Sequence, residues 1–334
     1  MARPAASPRL VADIGGTNAR FALLHDSVRN DELVLACADY PDLVAATEHY
    51  LSTVGAAAGP SRPVEAAIAI AGPITGDIVR MTNHVWEFSA SQTRQRLRWQ
   101  RFIVLNDFTA LAMAVRHLPE ADLEKIGGGR PAPGMPIAVL GPGTGLGVSG
   151  LIPAGSPDAP QWVPLQGEGG HVTLSVMNER EVEIFQQLHR RFAHVSAERV
   201  ISGPGLVNLY EALCAIEGVV PQVLAPAEIT RRAQEASCRI CMETVSTFCA
   251  LLGTMASNLV LTLGALGGVY IGGGIVPGVG ALFTSSPFRN RFEDKGRFAD
   301  YLARVPSYVI RAELPALIGL ACSFDEPGPR LEAQ

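Results

Sequence analysis

Disulfide scaffolding is the first thing this sequence lacks the means for. Its six cysteines, at 37, 214, 238, 241, 249 and 322 of 334 residues, are too few and too scattered. The thiols are expected to be reduced, as in a cytoplasm. One close pair, Cys238-Arg-Ile-Cys241, falls in an expected helix with no second pair and no suitably spaced histidine. It reads as small residues packed on a helix rather than zinc or redox chemistry. Positive charge is not in excess either: a net charge of -5 gives no electrostatic reason to expect a nucleic-acid partner. The opening MARPAASPRL holds two prolines and no continuous apolar stretch, unlike a secretory signal.

The common nucleotide motifs are missing as well. No GxxxxGK[ST] occurs, which excludes a Walker-type phosphate loop, and no HRD or DFG set marks a protein kinase. GPGTGLG puts leucine, and GGGIVPG puts proline, where GxGxxG needs its last glycine. A Rossmann oxidoreductase is left as a distant second reading. Charge is absent between Glu243 and Arg289, and length alone would allow a membrane span there. Eight glycines from Gly264 to Gly280 and Pro277 interrupt that stretch. We read it as a buried helix over 244–263, a buried strand over 269–271 and then a glycine loop, with no membrane.

What is present is the material of a globular α/β protein. The chain is 48% hydrophobic and 18% charged, and long enough for two domains, each with its own core. LVADIGGTNARFALL (10–24) and IAVLGPGTGLGVSGLI (137–152) repeat one pattern of apolar run, glycine turn and apolar run. Each predicts a hairpin whose glycines reach backbone angles that other residues resist. The Gly/Pro-rich 126–136 segment reads as a linker, so two α/β halves are expected to meet across a cleft. PVEAAIAIAGP, RFIVLND and SYVIRA predict strands. DFTALAMAV, SAERVIS, GPGLVNLYEALCAIEG and the 226–263 region predict helices, and a last apolar helix over 314–322 is expected to pack back on the first domain.

Several stretches carry candidate chemistry. In Asp13-Ile14-Gly15-Gly16-Thr17-Asn18 the glycines would let phosphate approach the backbone, whose N–H groups could donate to it. Asp13 would repel phosphate unless a magnesium ion or its waters stood between them. A plain hairpin turn explains the same residues. Asn106 and Asp107 close a buried strand just before a helix, where open α/β sheets bind ligands. Either could simply cap that helix; together they offer a proton acceptor beside an amide. Glu168 and His171, around a tight glycine turn, suit sugar hydroxyls. Glu198 falls in a first helical turn, where its charge would complement the helix dipole.

These segments together resemble the bacterial ATP-dependent glucokinases of the hexokinase, actin and chaperone-ATPase superfamily, not its zinc-containing repressor-type sugar kinases. The likeness runs through DIGGTNARFAL, AGPITGD, MTNHVWEFS, NDFTAL, GPGTGLGV, GEGGHV, HVSAERVISGPGLVNLY, GGVYIGGGIVP and FEDKGRF. It implies two ribonuclease-H-like (actin-like ATPase) α/β domains around a cleft, a smaller one of 1–117 plus 312–334 and a larger one of 118–311. It implies Asp107 as general base and glucose bound by Asn106, Asp107, Glu168, His171, Glu198 and the backbone near Gly145. ATP phosphates would meet Ala12, Asp13, Ile14, Gly15, Gly16 and Thr17 in one hairpin and Gly143 and Thr144 in the other. Gly272, Gly273 and Gly274 would lie near the adenosine, and Asp13 would hold Mg²⁺ through water. The clustered CxGCGxxGC zinc segment and a basic DNA-binding arm are both missing, which favours a kinase over a sugar-responsive regulator.

The reaction so implied is ATP-dependent phosphorylation of the glucose 6-hydroxyl by a cytoplasmic enzyme, a homodimer by family likeness. Domain closure would exclude water. A kinase for another hexose and a non-catalytic sugar sensor on the same fold are the alternatives.

Overall fold

A computed structural model describes residues 7–26, 28–81, 84–156, 159–325 and 331–332. Residues 1–6 of the opening stretch and 82–83 within MTNHVWEFS lie outside them. The chain forms two compact units: residues 1–118, 154–166 and 312–334, and residues 119–153 and 167–311.

The first unit is built on strands β1 (Arg9–Ile14), β2 (Asn18–His25), β3 (Val28–Ala36), β4 (Glu65–Ile70) and β7 (Arg101–Asn106), with the short ribbon β5 (Ile78–Arg80) and β6 (Glu87–Ser89) set apart. The sheet order is Leu331–Glu332, β7, β4, β1, β2, β3. β1, β2 and β3 form an antiparallel meander, while β1, β4 and β7 run parallel. Parallel strands covered on both faces must be apolar throughout. Leu10, Ala12, Ile14, Ile68, Phe102 and Val104 accordingly face one core, and Val11, Ala67, Ala69, Ile103 and Leu105 face another. Helices α1 (Leu43–Thr53), α2 (Ala90–Leu97) and α3 (Asp107–Ala114) follow β3, β6 and β7. The closing helix Pro315–Cys322 packs on α3 as expected, so closely that a Cβ at Gly319 would collide with the Ala110 carbonyl.

The second six-stranded sheet consists of β8 (Leu123–Gly127), β9 (Ile137–Pro142), β10 (Leu146–Ser156), β11 (Ala159–Leu165), β12 (Val269–Ile271) and β13 (Ser307–Ile310), in the order β11, β10, β9, β12, β13, β8. β9 and β10 form a hairpin, and β12 and β13 lie parallel beyond β9. The echo in sequence is therefore an echo in topology: each glycine turn joins the first two strands of a meander that continues into parallel strands. Residues 154–166, expected in the larger domain, group with the first unit, where β11 meets α3 and the Arg116 guanidinium lies 4.7 Å over the Trp162 ring.

Helices α4 (Glu179–His189), α5 (Gly203–Ile216), α6 (Pro226–Gln234) and α7 (Arg239–Leu263) cross between β11 and β12. Among the described residues α7 is the one helix long and apolar enough to span a membrane. Most of it is buried in the second unit's core, packed on α5, α6 and β9.

Four local expectations are corrected. SAERVIS forms only a 3-10 turn, Ala197–Arg199. The glycine loop after β12 winds into the short helix α8 (Ile275–Val279). The 126–136 segment is no linker: it begins in β8, and Gly129 donates to the Arg304 carbonyl at 3.1 Å. Finally, Gly15, Gly16, Gly143 and Gly145 all have ordinary φ, so neither hairpin needs glycine for its backbone angles.

Candidate active site

In the first unit, the turn between β1 and β2 closes through the Gly15 N–H, which donates to the Asn18 carbonyl at 2.9 Å. That amide is thus engaged in the turn, and donors for a phosphate are left to residues after it. Ala12 and Ile14 have fully buried side chains and lie between β2 and β4, so they supply the strand rather than contacts. Thr17 stands exposed at the tip. A Cβ on Gly15 would come no nearer than 3.5 Å to any neighbour. With ordinary φ and open space ahead, nothing in the polypeptide demands glycine there; close approach of a ligand would.

Asp13 leans on Arg20, 3.6 Å away. Burial pushes its carboxyl above the usual carboxylate range, and the Arg20 charge only partly offsets this. Cys37, at the far end of β3, clamps the turn from below. Its thiol donates to the Gly15 carbonyl at 3.4 Å, and its N–H donates to the Thr17 carbonyl at 2.9 Å. Sequence reasoning counted Cys37 only as a scattered thiol; its place under the turn comes from β3 pairing with β2 and left no local signal.

Asn106 ends β7 and caps α3. Its carboxamide oxygen accepts the Phe108 and Thr109 N–H groups at 2.9 and 3.2 Å, and its amide donates to the Gly72 carbonyl at 3.2 Å. The cap reading of Asn106 is therefore realised. Asp107 is the first residue of α3, with one carboxylate oxygen accepting the Phe108 N–H at 2.9 Å. The amide pins the strand-to-helix junction, and the carboxylate sits at the positive end of the helix.

In the second unit, the β9–β10 turn closes in the same manner, Gly143 donating to Gly145 at 2.8 Å, with Thr144 exposed at its tip. A Cβ on Gly143 would meet nothing within 4 Å. Here too the first glycine is free of any packing or conformational demand. The Gly143 carbonyl in turn accepts the first N–H of α5, from Gly203, at 2.8 Å.

Glu198 does not sit in an α-helical first turn. Its carboxylate reaches across to the Leu146 N–H at 2.8 Å and fills the space where a Gly145 side chain would stand. Glu168 precedes a single 3-10 turn, Gly169–His171, which His171 ends, and both are exposed. Side chains at Gly169 and Gly170 would strike Val148 and the Leu146 carbonyl, so these glycines seat the turn on the start of β10. The segments bearing His171 and Glu198 are tied together by Ala197 donating to Val172 and Leu174 donating to Val195, both at 2.9 Å. Glu168, His171, Glu198 and Gly145 thus gather around one end of β10.

The Gly272–Gly274 stretch follows β12. Gly273 has φ +79°, and a Cβ on it would strike the Pro142 carbonyl, so the glycine is required for packing β12 against β9. Gly274, by contrast, faces open space. Among the described residues no group of three or more His, Cys, Asp or Glu side chains gathers as a metal cage.

The chain as a whole is similar to known proteins. The glucokinase family model matches residues 10–327. A glucokinase of Aromatoleum aromaticum is 51% identical over 320 residues, 95% of each chain. The crystal structure of a glucokinase from an Antarctic psychrotroph superposes with a TM-score of 0.84 at 38% identity, covering 96% of this chain and 99% of that one. A glucokinase from Balamuthia mandrillaris, solved with glucose, has the same fold at 18% identity and a TM-score of 0.77, over 95% and 93% of the chains. With its two ribonuclease-H-like units and a match running nearly end to end, the chain belongs to the glucokinase family.

Proposed function

We propose that the protein transfers the γ-phosphoryl group of ATP to the 6-hydroxyl of D-glucose, giving glucose 6-phosphate and ADP. The observation that carries the reading is Asp107, a carboxylate held at the carboxyl end of β7 on the first turn of α3, in a chain of this family. Asp107 accepts the hydroxyl proton as the new O–P bond forms. Phosphoryl transfer otherwise asks a protein for in-line positioning and charge stabilisation. The backbones at Gly16–Thr17 and Thr144 are assigned to the phosphates, supported by the open approach at Gly15 and Gly143. Gly274 is assigned to the adenosine side, with Gly272 and Gly273 shaping the backbone beneath it.

Glucose falls to Glu168, His171 and Glu198, with the Gly145 backbone, and to the Asn106 amide beside Asp107. Asp13 is assigned to Mg²⁺ through water, because this ion keeps several waters and binds through one or two carboxylates and substrate phosphates rather than an all-protein cage. Bound there, Mg²⁺ would neutralise phosphate charge. Water-excluding closure of the enzyme, a homodimeric state and a cytoplasmic location belong to the same reading, with glucose and ATP as partners and neither membrane nor nucleic acid among them.

A coupled assay with ATP and Mg²⁺ across a panel of hexoses tests the reaction; glucose should be turned over with the highest kcat/KM. Replacing Asp107 with alanine should lower kcat by about 10²–10⁴-fold, the usual contribution of a general base. Near-normal turnover by that variant would remove Asp107 from the role.

A further inference from the structure

The second unit holds a pair of thiols that the proposed reaction does not use. Cys238 begins α7 as its cap: the sulfur accepts the Cys241 backbone N–H at 3.4 Å. Cys238 is half-buried, whereas Cys241 is fully buried behind it on the helix. A half-buried sulfur that caps the helix and a buried one three residues on thus share the first turn of a 25-residue helix, joined through the Cys241 N–H.

The electrostatics of the two sulfurs diverge. Burial pushes the Cys238 thiol up, but the Cys241 N–H, the Cys241 thiol, the Ile240 N–H and the Arg232 guanidinium together outweigh it and hold the thiol below its ordinary range. Burial, then the neighbouring Cys238, pushes Cys241 up to about 12. Arg232 is itself paired with Glu228 at 2.6 Å, which leaves the helix amides as the closer influence on Cys238. A sulfur at a helix N-terminus beside a cation is where thiolates form and react. The third thiol nearby, Cys214 on α5, is buried and raised by burial.

We infer that Cys238 and Cys241 form a peroxide-reactive dithiol, a modification site apart from the sugar and nucleotide chemistry, with Cys238 attacking and Cys241 resolving. The Cys238 thiolate attacks hydrogen peroxide; an S–O bond forms, the O–O bond breaks, and hydroxide leaves to take a solvent proton. The Cys241 sulfur then displaces the oxygen from the Cys238 sulfenic acid, forming the disulfide, and hydroxide leaves with the Cys241 proton as water. Two thiols have given up two electrons and two protons, and one peroxide has become two waters.

The test treats the reduced full-length enzyme with equimolar hydrogen peroxide, blocks the remaining thiols and maps the peptides by mass. The wild type should lose about 2 Da in the peptide containing both cysteines, the mark of a disulfide. Cys241→Ser should instead accumulate a dimedone-trapped sulfenic acid at Cys238, and Cys238→Ser should give neither product. Cys322 is half-buried like Cys238 but lies in the other unit, and it provides a comparison within the unmutated protein. Faster oxidation at Cys238 than at Cys322 supports the proposal. Equal rates at the two, a disulfide from Cys238 to Cys214, or a Cys241→Ser protein in which Cys238 stays unmodified would each overturn it.

Discussion

Glu168 and Glu198 were singled out from sequence for the same chemistry, yet their surroundings give them different duties. Glu168 is exposed beside its turn, whereas Glu198 is committed to the Leu146 N–H. Glu168→Gln should therefore raise the KM for glucose and leave the melting temperature unchanged. Glu198→Ala should raise KM and lower the melting temperature together, because it also leaves the Leu146 amide without its charged acceptor. Parallel kinetics and melting curves separate the two; an unaltered glucose KM in the Glu168 variant would take that residue out of the sugar-binding set. The identities of such residues were readable because carboxylate, imidazole and amide each advertise their chemistry. Their partners were not, since Leu146 and Glu198 lie far apart in the chain and meet only through tertiary structure. Cys37 was missed for the same reason.

The glycine turns show where a motif and its explanation part company. The sequence offered two reasons for the turn glycines, unusual backbone angles and close approach of a phosphate, and Gly15 and Gly143 both have ordinary φ. Their Cβ directions are instead open, which shifts the reason for glycine from the fold to the ligand. Gly15→Val should accordingly fold normally and raise the KM for ATP; a normal ATP KM in the folded variant would return the turn to a structural role. Strands such as β4 and β7 were legible as short apolar runs, while SAERVIS was misread because three residues of 3-10 turn carry the same residue types as a helix start. Helix α6 offers a different test. Arg231 and Arg232 hydrogen-bond Glu228 and hold its carboxyl down to about 2. A depressed carboxyl contributes stability above its unfolded pKa of about 4.3 that is lost as pH falls toward the folded value. Because this cluster is exposed, the effect should be small and screened by salt. Glu228→Gln should melt slightly below the wild type at pH 7 in low salt. The gap should close toward pH 2 and in high salt; a gap that persists in either condition refutes the account.

Two sheets of like topology, each with its own core, were foreshadowed by the repeated hairpin sequence. The unit boundaries were less legible, because residues 154–166 continue a strand begun in one unit and group with the other. Separate cores predict that calorimetric unfolding is not a single two-state transition. Gly319→Ala, which forces a methyl group against the Ala110 carbonyl, should cost about 1–3 kcal/mol in the first unit. In a calorimetric scan it should lower the transition of that unit and leave the other in place. A uniform downward shift of one sharp peak would mean that the two cores unfold together.

Helix α7 has a consequence for how the protein is made. Its 25 apolar-rich residues leave the ribosome before β12 and β13, the strands that complete the sheet beneath it. During that interval β9 and β10 are already synthesised, but the sheet that buries the helix lacks its centre. Nascent chains of this length expose such surface to one another and to chaperones. Slower translation or cooler growth, which gives each chain time to finish before it meets a neighbour, should favour the yield of folded enzyme more than any change at the catalytic residues.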